Sequence, residues 1–291
     1  MLFGFQLENE NASIVDLNDG VRYQVLDITG LNPPSAEIFT AKSPNRKGSK
    51  YNGSTLNERN LVVMVKILGD IEANRNFLYS WIDTENYAKI RYQNGLKNVY
   101  CEGYVQDCEI ALFTENEVVN LVITCPDPYW KDLQEIAMDI STLLKQFTFP
   151  FAIDANGVPF STLRENNETN IFNAGAETGC QIKITCNGEV ENIIIYDKND
   201  TTKQFRINHT LEENWIVIID TDGSPKTCKV YKPDGSVESL LKYIAGGSPE
   251  DNLPPAWFTI KKGNNAFGYR ATSGAENAEM VISFTNKYLG V

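Results

Sequence analysis

The sequence predicts a mainly β protein. An N-terminal antiparallel β domain, a split barrel or sandwich with one inserted α-helix, precedes a C-terminal β-sandwich. Three observations predict this. Short runs rich in β-branched and aromatic residues recur along most of the chain, separated by turn chemistry such as Asn187-Gly188, Asp222-Gly223 and Pro233-Asp234-Gly235. One stretch, from Asp70 to near Asp83, carries a clear helical period. A double proline stop, Cys125-Pro126-Asp127-Pro128-Tyr129-Trp130, falls near the middle, and the composition changes from Phe147. A chain of 291 residues holds two domains of ordinary size, expected over 1–146 and 147–291.

Leu2 to Glu8 and Val21 to Ile28 read as strands, with Asn18-Asp19-Gly20 as a hairpin signal. From Thr29 to Asn60 runs a long polar passage holding Lys42, Arg46, Lys47 and Lys50, with no acid between Glu37 and Glu58. It is too long for a routine connection. Two readings stay open: a solvated loop, or an arm or hairpin whose local charge of +4 meets the acidic surface of a neighbouring copy. No Gly-x-x-x-x-Gly-Lys-Ser/Thr phosphate loop is present.

Asn60 to Leu68 is an apolar strand ended by Gly69, and Asp70 is placed to cap a helix with Glu72 in its first turn. Ile71, Leu78, Trp81 and Ile82 form its apolar stripe, with Phe77 paired to Trp81 four residues on. Strands return from Tyr87 to Ile123, with turns at Gln93-Asn94-Gly95 and Thr114-Glu115-Asn116-Glu117. Pro126 and Pro128 then remove two amide donors, so the ladder stops, and Tyr129 and Trp130 follow as aromatic anchors. Leu133 to Leu144 fits a helix face or an alternating strand, with a strand-containing linker favoured.

In the second half, Gln181–Cys186, Glu191–Tyr196, Lys203–Ile207, Trp215–Asp220, Lys226–Tyr231, Trp257–Lys261, Ala266–Arg270 and Glu279–Thr285 all read as strands. That spacing is a sandwich pattern, with room for one helical turn around Val237 to Tyr243.

The chemistry-bearing residues are sparse. Asp220 and Asp222 precede Gly223 as in a calcium loop, but the twelfth position is Tyr231 rather than a bidentate glutamate. His209 is the single histidine and has no nucleophile-elbow motif to serve. Glu212-Glu213 and Glu250-Asp251 lie in polar loops, where solvated charge is the ordinary state. Trp215 and Trp257 each open an apolar strand, which favours core packing over sugar stacking. The six cysteines, Cys101, Cys108, Cys125, Cys180, Cys186 and Cys228, show no Cys-x-x-Cys and are expected as reduced structural thiols. Cys180 and Cys186 alternate in phase with Ile182 and Ile184 as small buried hydrophobes. No catalytic, cofactor-binding or metal-ligating residue is expected.

Hydrophobic content of 42% and 22% charged residues describe a globular chain with no run long enough to span a bilayer. The opening Met1-Leu2-Phe3-Gly4-Phe5-Gln6 has no signal-peptide character, so folding in a cytoplasm is expected. A net charge of −12 argues against nucleic-acid binding and suits a surface that DNA slides past.

Several stretches in this order resemble the distal tail proteins (Dit) of long-tailed, non-contractile bacteriophages. They are Phe3-Gly4-Phe5, Gly53-Ser54-Thr55-Leu56 to Arg59, the lone helix, Cys125-Pro126-Asp127-Pro128-Tyr129-Trp130, Phe149-Pro150-Phe151, Ile219-Asp220-Thr221, Lys262-Gly263-Asn264-Asn265 and Tyr288-Leu289-Gly290-Val291. The resemblance implies a ring-forming first domain and a galectin-like second domain in a homohexamer. In that family the ring is a hub joining the tail tube protein, a tail-associated lysin or fibre, and receptor-binding proteins in the virion. Six copies would carry about −72, suited to a lumen that passes DNA. It implies a structural protein without a cofactor, assembled in the host cytoplasm. A carbohydrate-binding sandwich module is the alternative, and a glycosidase a weaker one, requiring two carboxylates converging in a cleft.

Overall fold

The computed structural model describes residues 3–42, 47–82, 87–110, 117–140, 143–145, 161–163, 168–246 and 254–291. Asp83, Arg46, Thr114-Glu115-Asn116, Phe149-Pro150-Phe151 and Glu250-Asp251 lie outside them. The architecture is mainly β, with one α-helix among the described residues. The chain divides into two compact units, one of residues 1–133 with 287–291, the other of 134–286. Among the described residues, no helix is long and apolar enough to cross a membrane.

The first unit contains, in order, β1 (Gly4–Asn9), β2 (Ile14–Asp16), β3 (Tyr23–Thr29), β4 (Ala36–Ala41), β5 (Lys50–Leu56), β6 (Arg59–Ile67), α1 (Ile71–Trp81), β7 (Tyr87–Gln93), β8 (Asn98–Ile110), β9 (Val118–Cys125) and β10 (Trp130–Asp132). Its main sheet runs β2-β1-β7-β8-β9-β6-β3, all antiparallel. The period of two is plain in β6, where Leu61, Val63, Val65 and Ile67 are buried and the residues between them are not. These pack with Phe5, Leu7, Ile90, Val99, Leu121 and Ile123 into one core.

Asn18-Asp19-Gly20 does not close a hairpin. It joins β2 to β3, the two ends of the sheet order, because the Asp19 carboxylate accepts from the backbone N–H of Val21, Arg22 and Tyr23 and fixes a loop instead. Asn94-Gly95 is a true hairpin, with Gln93 opposite Asn98 across β7 and β8. α1 starts as the sequence indicates, Asp70 accepting from the Ala73 N–H. Leu78 and Trp81 face the core, but Phe77 does not: it is exposed, and the Arg22 guanidinium lies 5.2 Å over its ring. The expected Phe77–Trp81 pairing fails because adjacent Leu78, on the core side, takes the buried position.

β9 ends at Cys125, where the prolines begin, and β10 then resumes pairing with β8. The C-terminal strand Lys287–Tyr288 returns to the first unit and pairs with β10, Trp130 opposite Tyr288.

The second unit is a β-sandwich. One sheet is ordered Ile136–Asp139, Ala278–Phe284, Gln181–Cys186, Ile216–Asp220, Thr227–Tyr231, Val237–Ser239; the other Glu168–Asn173, Gly263–Arg270, Ile194–Asp197, Asp200–Ile207, Ile244–Ala245. Inward residues of both, among them Ile182, Ile184, Val217, Phe205 and Tyr269, share one core. The ambiguous 133–144 stretch contributes a strand here, Ile136 opposite Phe284. Trp257–Lys261 is not a regular strand; only an isolated bridge, Thr178 to Ile260, forms there. Near Val237 a short strand precedes one 3₁₀ turn, Leu241–Tyr243.

All six cysteines are free and five are buried, Cys108 being half-buried. Burial pushes Cys180 and Cys186 up to about 11 and Cys228 up to about 12. A folded-state value above the ordinary thiol pKa of about 8.5 means that the unfolded chain loses its proton first. This contribution is complete below that pH and is lost as pH rises through the folded values. Between about pH 9 and 11, stability is expected to fall by up to about 1.4 kcal/mol per pH unit for each thiol. Urea unfolding of Cys228→Ala across that range checks it: the fall becomes shallower by about one proton, and an unchanged slope refutes the assignment.

Candidate assembly interface

The passage between β3 and β6 is an arm. β4 and β5 form a separate two-stranded sheet, and every residue in it except Gly53 is exposed. Ile38 is 63% exposed and Tyr51 61%, values that a free solvated hairpin does not ordinarily sustain in apolar residues. Isolated hairpins are marginal in water, so the arm needs a firm base.

Arg59 provides that base. It opens β6 and is 1% exposed, and its side chain donates four hydrogen bonds, all to main-chain carbonyls. Nη1 donates to Gly30 and, at 2.8 Å, to Asn32, both just before the arm. Nε donates to Pro128 at 2.9 Å and Nη2 to Leu289 at 2.6 Å. Arg59 thus ties the root of the arm to the double-proline stop and to the C-terminal residues. Its guanidinium lies 5.3 Å over the ring of the fully buried Trp130. Burial lowers the Arg59 pKa, opposed by the nearby Cys101 and Cys125.

Backbone freedom is required at Gly30, whose φ is +91° and where an added Cβ would stand 2.2 Å from the Asn60 carbonyl oxygen. Above the root, Asn57 closes the neck, its N–H donating to the Ser35 carbonyl and its side-chain amide to Ser35 Oγ, both at 3.0 Å. Lys131 braces the same region, 2.9 Å from Asp127 and 3.1 Å from Glu102. Burial opposes its charge, yet hydrogen bonds and attraction from the two carboxylates more than offset it and hold its pKa above the ordinary lysine value.

The residues singled out for chemistry are not brought together. Asp220 Oδ1 accepts from the N–H groups of Asp222 and Gly223, an ordinary turn cap, while Asp222 accepts from the Gly179 N–H. His209 stacks on Tyr243 with ring centroids 4.3 Å apart. Glu212 and Glu213 are exposed. Trp215 is buried and Trp257 packs edge-on against Phe205 at 5.1 Å. Among the described residues, no group of three or more His, Cys, Asp or Glu could hold a metal ion.

No protein-family model and no curated protein matches the sequence. Solved structures do match its fold. The Dit protein of phage SPP1, described as a paradigm of the hub adsorption apparatus in phages infecting Gram-positive bacteria, superposes with a TM-score of 0.66. The match spans 98% of this chain and 99% of that one, at 14% identity. The chain has the Dit fold. A chain of the phage P2 baseplate in its activated conformation with calcium matches over the full length of both, at a TM-score of 0.50 and 11% identity. At such identities the likeness is one of fold over the whole chain rather than of shared residues.

What sequence reasoning missed is Arg59. The sequence reading starts the apolar strand at Asn60, with Arg59 in the approach to it; its one signal is a charge at an in-phase buried position, two residues before Leu61.

Proposed function

We propose that this protein is a structural component of a phage tail, a distal hub of the Dit type. Six copies form a ring that joins the tail tube to the tail-tip or baseplate and receptor-binding components, and DNA passes through the lumen. The observation that carries this reading is the Dit fold extending over both units of the chain rather than over one sandwich alone. The exposed arm supports it, since an apolar hairpin face on a firm root is what a ring subunit needs to hold its neighbour.

In this reading the first domain, 1–146, builds the ring, and the second, 147–291, is a galectin-like sandwich. Its partners are other copies of itself, the tail tube protein, a tail-associated lysin or fibre, and a receptor-binding protein. It is assembled in the host cytoplasm and resides in the virion tail tip. Its work is mechanical rather than catalytic, and requires neither cofactor nor metal. The inward packing of Trp215 and Trp257 favours this over a carbohydrate-binding module.

Solution mass with negative-stain imaging tests the reading. The expected particle is a six-fold ring of six 32.7 kDa chains. A particle that stays at the single-chain mass at every concentration, alone and mixed with tail tube protein, sinks it.

A further inference from the structure

We infer that the arm of one copy docks by its Ile38–Tyr51–Leu56 face on the outer face of β6 and β9 of a second copy. This rests on the ring reading and adds to it the surface that receives the arm.

The docking face follows from register. Ile38 stands opposite Ser54, Ala36 opposite Leu56 and Thr40 opposite Tyr51, and alternation along β4 puts Ala36, Ile38 and Thr40 on one side. The irregularity between Phe39 and Thr40 brings Tyr51 onto that side as well, where its hydroxyl lies 2.9 Å from Ser54 Oγ. Ile38, Tyr51 and Leu56 therefore share one exposed face. Lys42, Lys47 and Lys50 stand at the far end of the arm, all exposed.

The receiving surface has the complementary arrangement. On the outer side of the main sheet, Val62 of β6 pairs with Val122 of β9, and Met64 with Asn120. Met64 is 37% exposed, and Leu26, bulged out of neighbouring β3, is 49% exposed. Acidic residues flank this apolar strip on both sides: Asp27 is opposite Met64, Asp107 opposite Val122 and Glu109 opposite Asn120. All three are exposed. Lys66, opposite Val118, lies at the end of the β6–β9 strip, and the outward Lys89 and Arg91 stand on β7, opposite Glu102 and Tyr100 of β8. An apolar strip with an acidic rim thus faces an apolar strip with a basic end. A two-stranded hairpin, about 5 Å between strands, matches the width of the β6–β9 pair. The arm does not fill this surface in its own chain, where both its strands are exposed.

Charge reversal in the full-length protein tests the match, read by sedimentation equilibrium at about 0.1 M salt, where surface charges still act over roughly 10 Å. K47E/K50E and D107K/E109K are each expected to weaken self-association about tenfold, and the fourfold variant to recover most of it. Wild-type association by D107K/E109K, with K47E/K50E weakened, overturns the inference and leaves the ring reading standing. Arm reversal that spares self-association but abolishes capture of tail tube protein overturns it in favour of the tube as the arm's partner. A wild-type protein that never associates removes the ring reading, and the inference with it.

Discussion

Arg59→Met is expected to destabilise the first unit by about 3–5 kcal/mol. Methionine fills much of the volume of arginine but donates no hydrogen bond, and the four carbonyls it abandons belong to the backbone of Gly30, Asn32, Pro128 and Leu289. Replacing a buried ion pair on both sides can be neutral, because both desolvation costs disappear together. Here the acceptors cannot be removed with the donor, so only the cost remains, at about 1–3 kcal/mol for each group left unsatisfied and less where water enters. Arg59→Lys should recover little, since an ammonium on a flexible stem does not reproduce a planar fork that reaches carbonyls from three chain segments. Urea unfolding with tryptophan fluorescence checks this. Trp81 and Trp130 report on the first unit, Trp215 and Trp257 on the second, and only the first transition should move. A loss below about 1 kcal/mol, the worth of an ordinary single hydrogen bond, would show that the root is not held by this residue.

Ile38→Asp combined with Tyr51→Asp is expected to abolish ring formation while leaving the monomer folded. Both side chains are more than half exposed, so their loss changes monomer stability by about 0.5 kcal/mol or less. In an interface, large apolar residues near the centre of a dry patch carry a disproportionate share of affinity, and each central residue lost costs about 2 kcal/mol or more. Two buried carboxylates add a desolvation cost, so self-association should weaken by at least about a thousandfold. Mass photometry should then show single chains, while circular dichroism and the urea midpoint match the wild type. Intact rings from this variant would remove the arm from the assembly. Loss of both ring and fold would instead make it a structural element of the monomer.

Legibility differed from element to element for physical reasons. The stop after Cys125, the Asp70 cap, the Asn94-Gly95 hairpin and the alternating strands of the sandwich each depend on residues within a few positions, so the sequence carries them openly. Asn18-Asp19-Gly20 misled because the same turn chemistry serves a hairpin and an Asx-capped loop, and which forms depends on the partner available to β3. Phe77 misled because a helical stripe fixes a face only approximately, and packing against the sheet decided which of Phe77 and Leu78 went inside. The long basic passage was readable as an arm or a loop; strand pairing between β4 and β5 resolved it as a hairpin.

Propensity, period and charge are local or additive, so the mainly β class, helix α1 and the acidic balance against a basic arm were legible along the chain. Only the tertiary structure decided that Arg59 gathers Gly30, Asn32, Pro128 and Leu289 into one root, and that Asp27, Asp107 and Glu109 border a single apolar strip. Those groupings join positions as far apart as 59 and 289, and no pattern along the chain encodes them. They exist because backbone acceptors removed from water must find a donor wherever the fold brings one.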